Sequence, residues 1–264
     1  MKALALKECL RQRRVVIGTW VFEFNTPGIA RLLASTGVDF VVYDMEHSGF
    51  GMDSIRMLMA QTRPLNLAAL VRPPAGENHL VAPLLDAGAN GVIVPKVENA
   101  SQAAKIVDAC RYHPEGHRGA AFSVAHDDYL PGDIADKMKA ANDGMICAVL
   151  IETVAGVENV DGIVSVPGID LVWVGFLDLS ISMGIPGQFE DSRFKRALAR
   201  ILDACESREV PVGILAKDAH EALQYIHQGF RCISYSGDIW LLQGALAQGV
   251  NEVRRGLASG SPKT

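Results

Sequence analysis

Hydrophobic and polar positions follow a repeating order along the chain: a short apolar run, one or two polar residues, then a stretch with helical periodicity. The apolar runs are nearly continuous and rich in β-branched residues, which is typical of parallel strands buried on both faces. Strands are therefore predicted at Val15–Trp20, Phe40–Tyr43, Leu67–Val71, Gly91–Pro95, Met145–Ile151, Asp170–Val174, Val212–Leu215 and Arg231–Tyr235.

A segment of helical periodicity follows each of these strands, and one more helix precedes the first strand. The eight following helices are predicted at Pro27–Ser35, Met52–Arg63, Glu77–Ala87, Asn99–Cys110, Val154–Val164, Ser192–Arg208, Asp218–Gln228 and Ile239–Leu257. Thr26 is the expected N-cap of the first, with Pro27 at its first position, and Gly88 is expected to end the third.

Eight strand–helix units with no linker or composition break predict an α/β fold, a (β/α)8 TIM barrel with an extra N-terminal helix. The expected single domain covers residues 1–258, and a short tail covers 259–264. A dinucleotide-binding sheet is disfavoured because no GxGxxG turn follows the first strand. The segments 111–130 and 178–191 are expected to be long loops, which are usually functional or mobile.

Composition narrows the class of protein. Of the 264 residues, 49% are apolar, which suffices for a large core, and the net charge of −5 argues against nucleic-acid binding. No apolar run approaches the length that spans a bilayer, and the N-terminal segment resembles an amphipathic helix more than a signal peptide. The five scattered cysteines, without a CxxC pair, indicate reduced thiols in a cytoplasmic protein.

The candidate chemistry lies where predicted strands end, as catalytic groups do in barrels of this kind. Polar residues at these ends are Asp44, Glu46 and His47 after the second strand, Arg72 after the third, Glu152 after the fifth and Asp178 after the sixth. Neighbouring strand ends lie under about 5 Å apart, so Glu152 and Asp178 can converge on one cation. Two carboxylates without cysteine favour Mg²⁺ or Mn²⁺, although each acid alone could be a capping residue.

His47 is the leading candidate for the general acid or base, since it follows a strand beside two carboxylates and its reference pKa is near neutrality. Arg72 could clamp a carboxylate, offset charge on an enolate, or pair with Asp44 or Glu46. Asp86, an acid near a helix C-terminus, is disfavoured by the helix dipole. It could orient a ring nitrogen of His47, across a subunit boundary, or simply be solvated.

Other residues support competing chemistries. His126, in the long loop, is a weaker acid–base candidate. Lys96 and Lys217 follow strands and could form a Schiff base, but Glu98 favours the charged form of Lys96. Ser180 and Ser182 lack the nucleophile elbow of a hydrolase.

Several stretches resemble motifs of the HpcH/HpaI aldolase family, the metal-dependent class II pyruvate aldolases. They are YDMEHSGFGMDSI, ALVRPP, LLDAGANGVIVPKVENA, YHPEGHRG, LIET and GFLDLSISMG, spread in family order over nearly the whole chain. The resemblance implies a (β/α)8 barrel whose last helix is exchanged between partners, in a homo-hexamer built from dimers.

The resemblance also implies a role for each candidate residue. Glu152 and Asp178 would be metal ligands. His47 would be the base, Asp86 the acid that orients it, and Arg72 the group that stabilises the enolate. Asp44, Glu46 and Trp20 would line or support the site, and the backbone from Gly175 to Asp178 would hold the substrate carboxylate.

The chain departs from the family at Leu150, where Gln is usual, at Phe176 and Leu177 in the GFLDLS turn, and at RGAAF. These departures touch the substrate pocket and leave the metal, base and arginine positions unchanged.

The predicted function is a carbon–carbon lyase that cleaves or forms 4-hydroxy-2-oxo acids, giving pyruvate or a related 2-oxo acid and an aldehyde. Mg²⁺ or Mn²⁺ is the expected cofactor, with Co²⁺ or Zn²⁺ as alternatives, and it would act as a Lewis acid on the 2-oxo acid. The alternatives are a citrate- or malyl-CoA-like condensing or cleaving enzyme, a lysine-dependent aldolase, and a non-catalytic barrel that binds keto acids or serves in assembly.

Overall fold

The computed structural model describes residues 3–258 and contains a closed barrel of eight parallel strands in chain order. The predicted (β/α)8 barrel with a preceding helix is therefore confirmed. The tail predicted at 259–264 lies outside the described residues.

The strands lie within one or two residues of their predicted positions. They are β1 Val16–Val21, β2 Phe40–Asp44, β3 Ala68–Arg72, β4 Gly91–Val94, β5 Ile146–Ile151, β6 Leu171–Val174, β7 Val212–Ala216 and β8 Cys232–Gly237. β8 pairs with β1 to close the barrel, with Val16 opposite Cys232. Asp44 and Arg72 are register partners at the ends of β2 and β3, so the topology alone brings these two charged residues together.

Twelve α-helices are described between residues 3 and 258. They are α1 Ala3–Arg11, α2 Ile29–Ser35, α3 Met52–Thr62, α4 Asn78–Asp86, α5 Ala100–Cys110, α6 Ile134–Gly144, α7 Val154–Glu158, α8 Val160–Val164, α9 Phe176–Ser182, α10 Ser192–Glu206, α11 Ala219–Gln228 and α12 Asp238–Ala258. Gly88, with a φ of +103°, lies just past α4, as expected of a helix-terminating glycine.

The helical predictions are wrong in four details. α2 begins at Ile29 after Gly28, which provides no side-chain cap, so the predicted start at Pro27 with Thr26 as N-cap is incorrect. α6 occupies a segment for which no helix was expected, because its only buried residue is the polar Asn142. α9 replaces the first part of the predicted 178–191 loop, and the helix expected after β5 is divided into α7 and α8.

Two apolar layers fill the molecule. One lies between the strands and the surrounding helices, and the other fills the barrel interior with large side chains that include Trp20, Phe40, Leu150 and Trp173. Gly213 makes room for this inner layer, since a Cβ there would lie 2.5 Å from the Trp173 ring. The barrel is therefore a packed core, and any chemistry must take place at one of its ends.

The end at which the strands begin is closed by α1. Lys7 is buried there, 2.9 Å from an Asp170 carboxylate oxygen, and donates a hydrogen bond to the Met145 carbonyl. Arg111 reaches the second Asp170 oxygen at 2.6 Å. Burial lowers the pKa of Lys7. This ionic cluster fixes α1 beneath the barrel and leaves the opposite end for the candidate site.

The barrel wall is incompletely covered at the β8–β1 pair. Ile17 and Tyr235 alternate with interior residues of these strands and are exposed on the outer face. The helix that follows β8 would normally cover them, but α12 buries only Asp238. Leu242, Leu246, Val250, Val253 and Leu257 are spaced three or four residues apart on α12 and are exposed.

Candidate active site

The Asp44–Arg72 pair forms the rigid part of the site. Asp44, at the end of β2, is completely buried, and its Oδ1 lies 2.6 Å from the Arg72 Nε. The same carboxylate accepts the backbone N–H groups of Glu46 and His47, at 3.1 and 2.9 Å. Asp44 therefore shapes the turn that carries His47 and also orients the Arg72 side chain.

Glu46 links the other charged groups of this turn. Its Oε2 is 3.1 Å from Arg72 Nη1 and 3.8 Å from His47 Nε2, and its Oε1 is 3.6 Å from the Lys96 ammonium. Oε2 is buried yet forms no aligned hydrogen bond within residues 3–258. The His47 side chain is 55% exposed, so it lies at the surface of the charged cluster, accessible to a small molecule.

Trp20 supports Arg72 from below. The guanidinium carbon lies 4.6 Å from the centre of the Trp20 ring, a cation–π distance. Trp20 also packs against Trp173 and stacks on Phe22, and its Nε1 is buried without a partner among the described residues. Three interactions therefore restrict the Arg72 side chain, namely those with Asp44, Glu46 and this ring.

Glu152 follows β5 directly and is almost fully buried at 2% exposure. Its Oε1 accepts the Lys96 backbone N–H at 2.8 Å. Burial, together with the charges of Glu46 and Asp178, raises the pKa of Glu152 to about 7, although the Lys96 N–H and Arg72 oppose the shift. A buried acid among other acids is costly unless a cation compensates its charge.

Asp178 was predicted to lie at the end of β6, but the strand ends earlier, at Val174. Asp178 lies in the first turn of α9, four residues after Val174, and is partly buried. Gly175 separates strand from helix, and a Cβ at this position would lie 2.5 Å from the Glu152 Oε2. The glycine therefore keeps open the space beside that oxygen.

These residues fit a hard divalent cation. A buried Glu152 carboxyl whose pKa is raised in part by the charge of Asp178, a Glu46 oxygen without an aligned hydrogen bond among the described residues, and the open space at Gly175 match an oxygen-liganded ion. Among residues 3–258 no set of three or more His, Cys, Asp or Glu side chains is arranged to hold a metal. A site of two carboxylates leaves the remaining ligand positions to water and substrate oxygens.

The residues that depart from the family pattern have separate environments. Leu150 is buried in the barrel interior below Glu152, beside Trp20 and Trp173. Phe176 turns away from the interior and packs on Phe189, with ring centres 5.3 Å apart. Leu177 is exposed. Leu150 is therefore the departure that makes the floor of the site apolar.

Asp86 and His126 lie far from this cluster within one chain. Asp86 ends α4, which runs back towards the end where the strands begin, and it pairs with Arg118 at 2.6 Å. The loop 111–130 follows α5 at the same end, and there His126 Nε2 contacts the Ala121 carbonyl. A contact between Asp86 and His47 therefore requires a second copy of the chain and stays a prediction.

The two candidate lysines differ in their surroundings. Lys217 is exposed after β7 and lies 3.8 Å from Glu221. Lys96 is close to the carboxylate cluster, with its backbone N–H on Glu152 and its ammonium near Glu46. Both ammonium groups are in water rather than in the apolar pocket that would favour the neutral amine.

Asp238 is a site-supporting residue that sequence reasoning missed. At the start of α12 it accepts the backbone N–H groups of Phe22, Glu23 and Phe24, at 2.9 to 3.0 Å, and so holds the loop after β1. Phe22 in turn stacks on Trp20. An acid directly after the β8 run was the available signal, but that strand was predicted to end at Tyr235.

Comparison with known proteins agrees with the fold. Residues 17–243 match the HpcH/HpaI aldolase/citrate lyase family, and the chain belongs to it. A hydroxypyruvate/pyruvate aldolase of Paraburkholderia phytofirmans is 33% identical over 257 residues, covering 94% of this chain and 97% of the relative. The predicted resemblance and the prediction of an enzyme of the aldolase class are confirmed.

Solved structures extend the comparison. The HpcH/HpaI aldolase from Desulfitobacterium hafniense DCB-2 has a TM-score of 0.90 at 31% identity, covering 94% of this chain and 96% of that one. The citrate synthase SbnG has a TM-score of 0.84 at 26% identity, covering 96% and 98%. In the part of the chain from residue 3 to 258, no helix is long and apolar enough to cross a membrane.

Proposed function

We propose that the protein is a divalent-metal-dependent lyase that cleaves, and in reverse forms, the C3–C4 bond of 4-hydroxy-2-oxo acids. The observation that carries the proposal is Glu152, a buried carboxylate whose pKa is raised to about 7 beside Asp178 and Glu46. The nearby Asp44–Arg72–His47 turn supplies the positive charge and the titratable group that such a cleavage needs.

Glu152 and Asp178 would hold the cation, with Mg²⁺ or Mn²⁺ as the preferred ions. When bound, such a cation acts as a Lewis acid that withdraws electron density from the keto group of the substrate. Glu152 must be ionised to serve as a ligand, and its raised pKa couples that ionisation to cation binding.

Arg72 would stabilise the developing negative charge, and His47 would transfer the protons. Arg72 is fixed by Asp44, Glu46 and Trp20, so its positive charge needs no rearrangement as negative charge develops on the 2-oxo acid. His47, exposed beside it, removes the proton from the C4 hydroxyl during cleavage, directly or through water, and gives a proton to C3 of the enolate that is left, which yields pyruvate. In the addition direction it removes a proton from the methyl group of pyruvate and protonates the new C4 alkoxide. Asp44 keeps both residues in place.

We propose pyruvate or a closely related 2-oxo acid as the product that keeps the keto group, and an aldehyde as the other product. The similarity to a hydroxypyruvate/pyruvate aldolase supports this substrate class. The five free buried cysteines are compatible with a cytoplasmic enzyme.

Exchange of the pyruvate methyl protons with D₂O tests the proposal without an acceptor aldehyde. We expect Mg²⁺- or Mn²⁺-dependent exchange that is abolished by chelator and falls at least about 100-fold in His47→Ala, within the range of general acid–base catalysis. His220→Ala, at an exposed histidine of α11, should exchange at the wild-type rate. Undiminished exchange after exhaustive metal removal would contradict the proposal.

A condensing enzyme is the second candidate. The observation that favours it is the similarity to citrate synthase SbnG over 96% of this chain. Acetyl-CoA supplied with a 2-oxo acid should then release free CoA, measured with a thiol reagent. Absence of CoA release alongside live pyruvate exchange would exclude this candidate for acetyl-CoA.

We also propose that the chain forms a homo-oligomer by exchange of α12, with a hexamer as the expected assembly. The exposed apolar stripe of α12 and the uncovered wall around Ile17 and Tyr235 support this proposal. The barrel wall at β8 and β1 is not covered by a helix, and the apolar stripe of α12 is not packed against a core. In a dimer, α12 of each copy would cover the exposed wall of the other.

A further inference from the structure

The segments that carry Glu152 and Asp178 are joined to each other just before these two residues. β5 and β6 run parallel, with Ile151 opposite Val174 in the register. The next hydrogen bond runs from the Gly175 N–H to the Ile151 carbonyl, at 3.0 Å. It directly precedes Glu152 on one segment and shortly precedes Asp178 on the other, so the barrel wall fixes this end of both segments.

A second hydrogen bond joins the same two segments just after Glu152 and Asp178. The N–H of Val154, the first residue of α7, donates to the Ser182 Oγ at 3.0 Å. Ser182 lies four residues after Asp178 on α9, and residues at this spacing share one face of a helix. The face of α9 that carries Asp178 is therefore held against the turn that follows Glu152.

The stability of the fold does not require this second hydrogen bond. Val154 and Ser182 are both exposed, and water can accept the N–H at the start of a helix in place of a hydroxyl. The Ser182 hydroxyl therefore adds little to the free energy of unfolding. It adds a fixed distance between two short segments, each of which carries one carboxylate.

This distance affects the size of the ion that the two carboxylates can hold. Mg²⁺ needs oxygen ligands at about 2.0–2.1 Å in near-octahedral geometry, whereas Ca²⁺ accepts longer and more variable contacts of about 2.3–2.6 Å. Ligands on segments that are joined on both sides cannot easily move apart. A fixed spacing therefore favours the smaller ion, and a looser spacing reduces that preference.

We propose that Ser182 is a positioning residue of the candidate metal site, which keeps Glu152 and Asp178 at a spacing suited to a small divalent cation. The inference rests on the metal site of the proposed lyase and adds the residue that selects the size of the ion. Ser182 acts through the two carboxylates and needs no contact with the cation or the substrate. Thr153 is a matched control, because its Oγ1 accepts the Gly156 N–H within the same turn and makes no bond to α9 among the described residues.

Electron paramagnetic resonance of Mn²⁺ measures ion binding without turnover, and displacement of Mn²⁺ gives the affinities for Mg²⁺ and Ca²⁺. We expect Ser182→Ala to weaken Mn²⁺ and Mg²⁺ binding about tenfold and Ca²⁺ binding less than about twofold, with an unchanged urea midpoint. Ser182→Thr, which retains the hydroxyl, should bind all three ions like the wild type. Thr153→Ala should lower the urea midpoint through loss of a helix cap and leave the three affinities unchanged.

The outcomes separate this inference from the lyase function. Wild-type Mg²⁺ affinity in Ser182→Ala overturns the role of Ser182 and leaves the lyase proposal standing. Equal losses of Mg²⁺ and Ca²⁺ affinity, or the same loss in Thr153→Ala, also overturn it, because they indicate general loosening. If the ion-size effect is found but pyruvate exchange is absent, the lyase function fails and the positioning role stands. A wild type that binds no Mn²⁺ overturns both.

Discussion

Glu152 illustrates how the position of a single residue determines its chemistry. One oxygen is held by a backbone N–H and the other faces the space that Gly175 leaves open. Because the carboxyl is buried and lies near Glu46 and Asp178, its pKa rises from 4.5 to about 7. Ionisation of this residue near neutral pH should therefore affect the stability of the metal-free protein.

We expect the metal-free protein to lose stability as the pH rises from about 5 to 8. The folded pKa of Glu152 exceeds its ordinary value, so its contribution is complete below pH 4.5 and is lost as the pH passes through 7. Glu152→Gln should remove this part of the slope, on the order of 3 kcal/mol, as measured by calorimetry in chelator. Glu190→Gln, at an exposed acid, is the control, and equal slopes in wild type and Glu152→Gln would contradict the prediction.

Residue identities at the strand ends were predictable from sequence, whereas their pairing was only partly so. The pattern of an apolar run followed by a charged residue selected Asp44, Arg72 and Glu152. The Asp44–Arg72 ion pair was one of several roles considered, and the strand register makes it direct. The hydrogen bond from the Lys96 backbone N–H to Glu152 was not predictable, since every residue except proline has a backbone N–H and the residue type does not show where it donates.

At the scale of elements, the start of α12 is tied to the loop after β1. Asp238 accepts three N–H groups of that loop and also the N–H of Ile239, at 2.9 Å. Its carboxylate therefore joins the last helix to the segment that leads into α2. Phe22 in this segment stacks on Trp20, and Trp20 in turn lies under the Arg72 guanidinium. Asp238 therefore also helps, through these two rings, to hold Arg72 in position.

Asp238→Ala should be far more disruptive than the loss of an ordinary helix cap. We expect a decrease of about 3 kcal/mol in the free energy of unfolding by urea, because three N–H groups in partly buried hydrogen bonds lose a charged acceptor at once. Asp218→Ala, which removes the N-cap of α11, should cost only about 1 kcal/mol. Equal losses in the two variants would show that Asp238 acts as a simple cap.

The elements that sequence analysis missed share a physical cause. α6 buries little apolar surface, so its periodicity is weak, although Asp133 caps it by accepting the Asp136 N–H. α9 is a short helix in a glycine-bounded segment whose helical form depends on packing, including Phe176 against Phe189. Strands, which are buried on both faces, carry the stronger pattern and were predicted closely.

At the scale of the whole molecule, the two ends of the barrel have different roles. The loop 111–130 was expected to be functional, but it lies at the end where the strands begin. It is held there by Arg118 to Asp86 and by Arg63 to Asp128, each at 2.6 Å. The predicted order of helix, loop and strand already assigns the loop to this end, because it lies between α5 and β5.

We expect Leu246→Glu combined with Val253→Glu to convert the assembly to smaller species, because charges on the α12 stripe cannot be buried against a partner. Size-exclusion chromatography with light scattering measures the mass. Asn251→Glu, on the opposite face of α12, should leave the mass unchanged. A wild type that is monomeric at micromolar concentration would contradict the proposed exchange.

The aromatic contacts have a practical consequence. The chain has three tryptophans, and two of them, Trp20 and Trp173, touch each other beneath Arg72. The third, Trp240, contacts Phe22, which stacks on Trp20. Tryptophan fluorescence, excited selectively over the five tyrosines, therefore originates from the floor of the candidate site and the base of the last helix, so that ligand titrations and assembly can both be followed optically without adding a label.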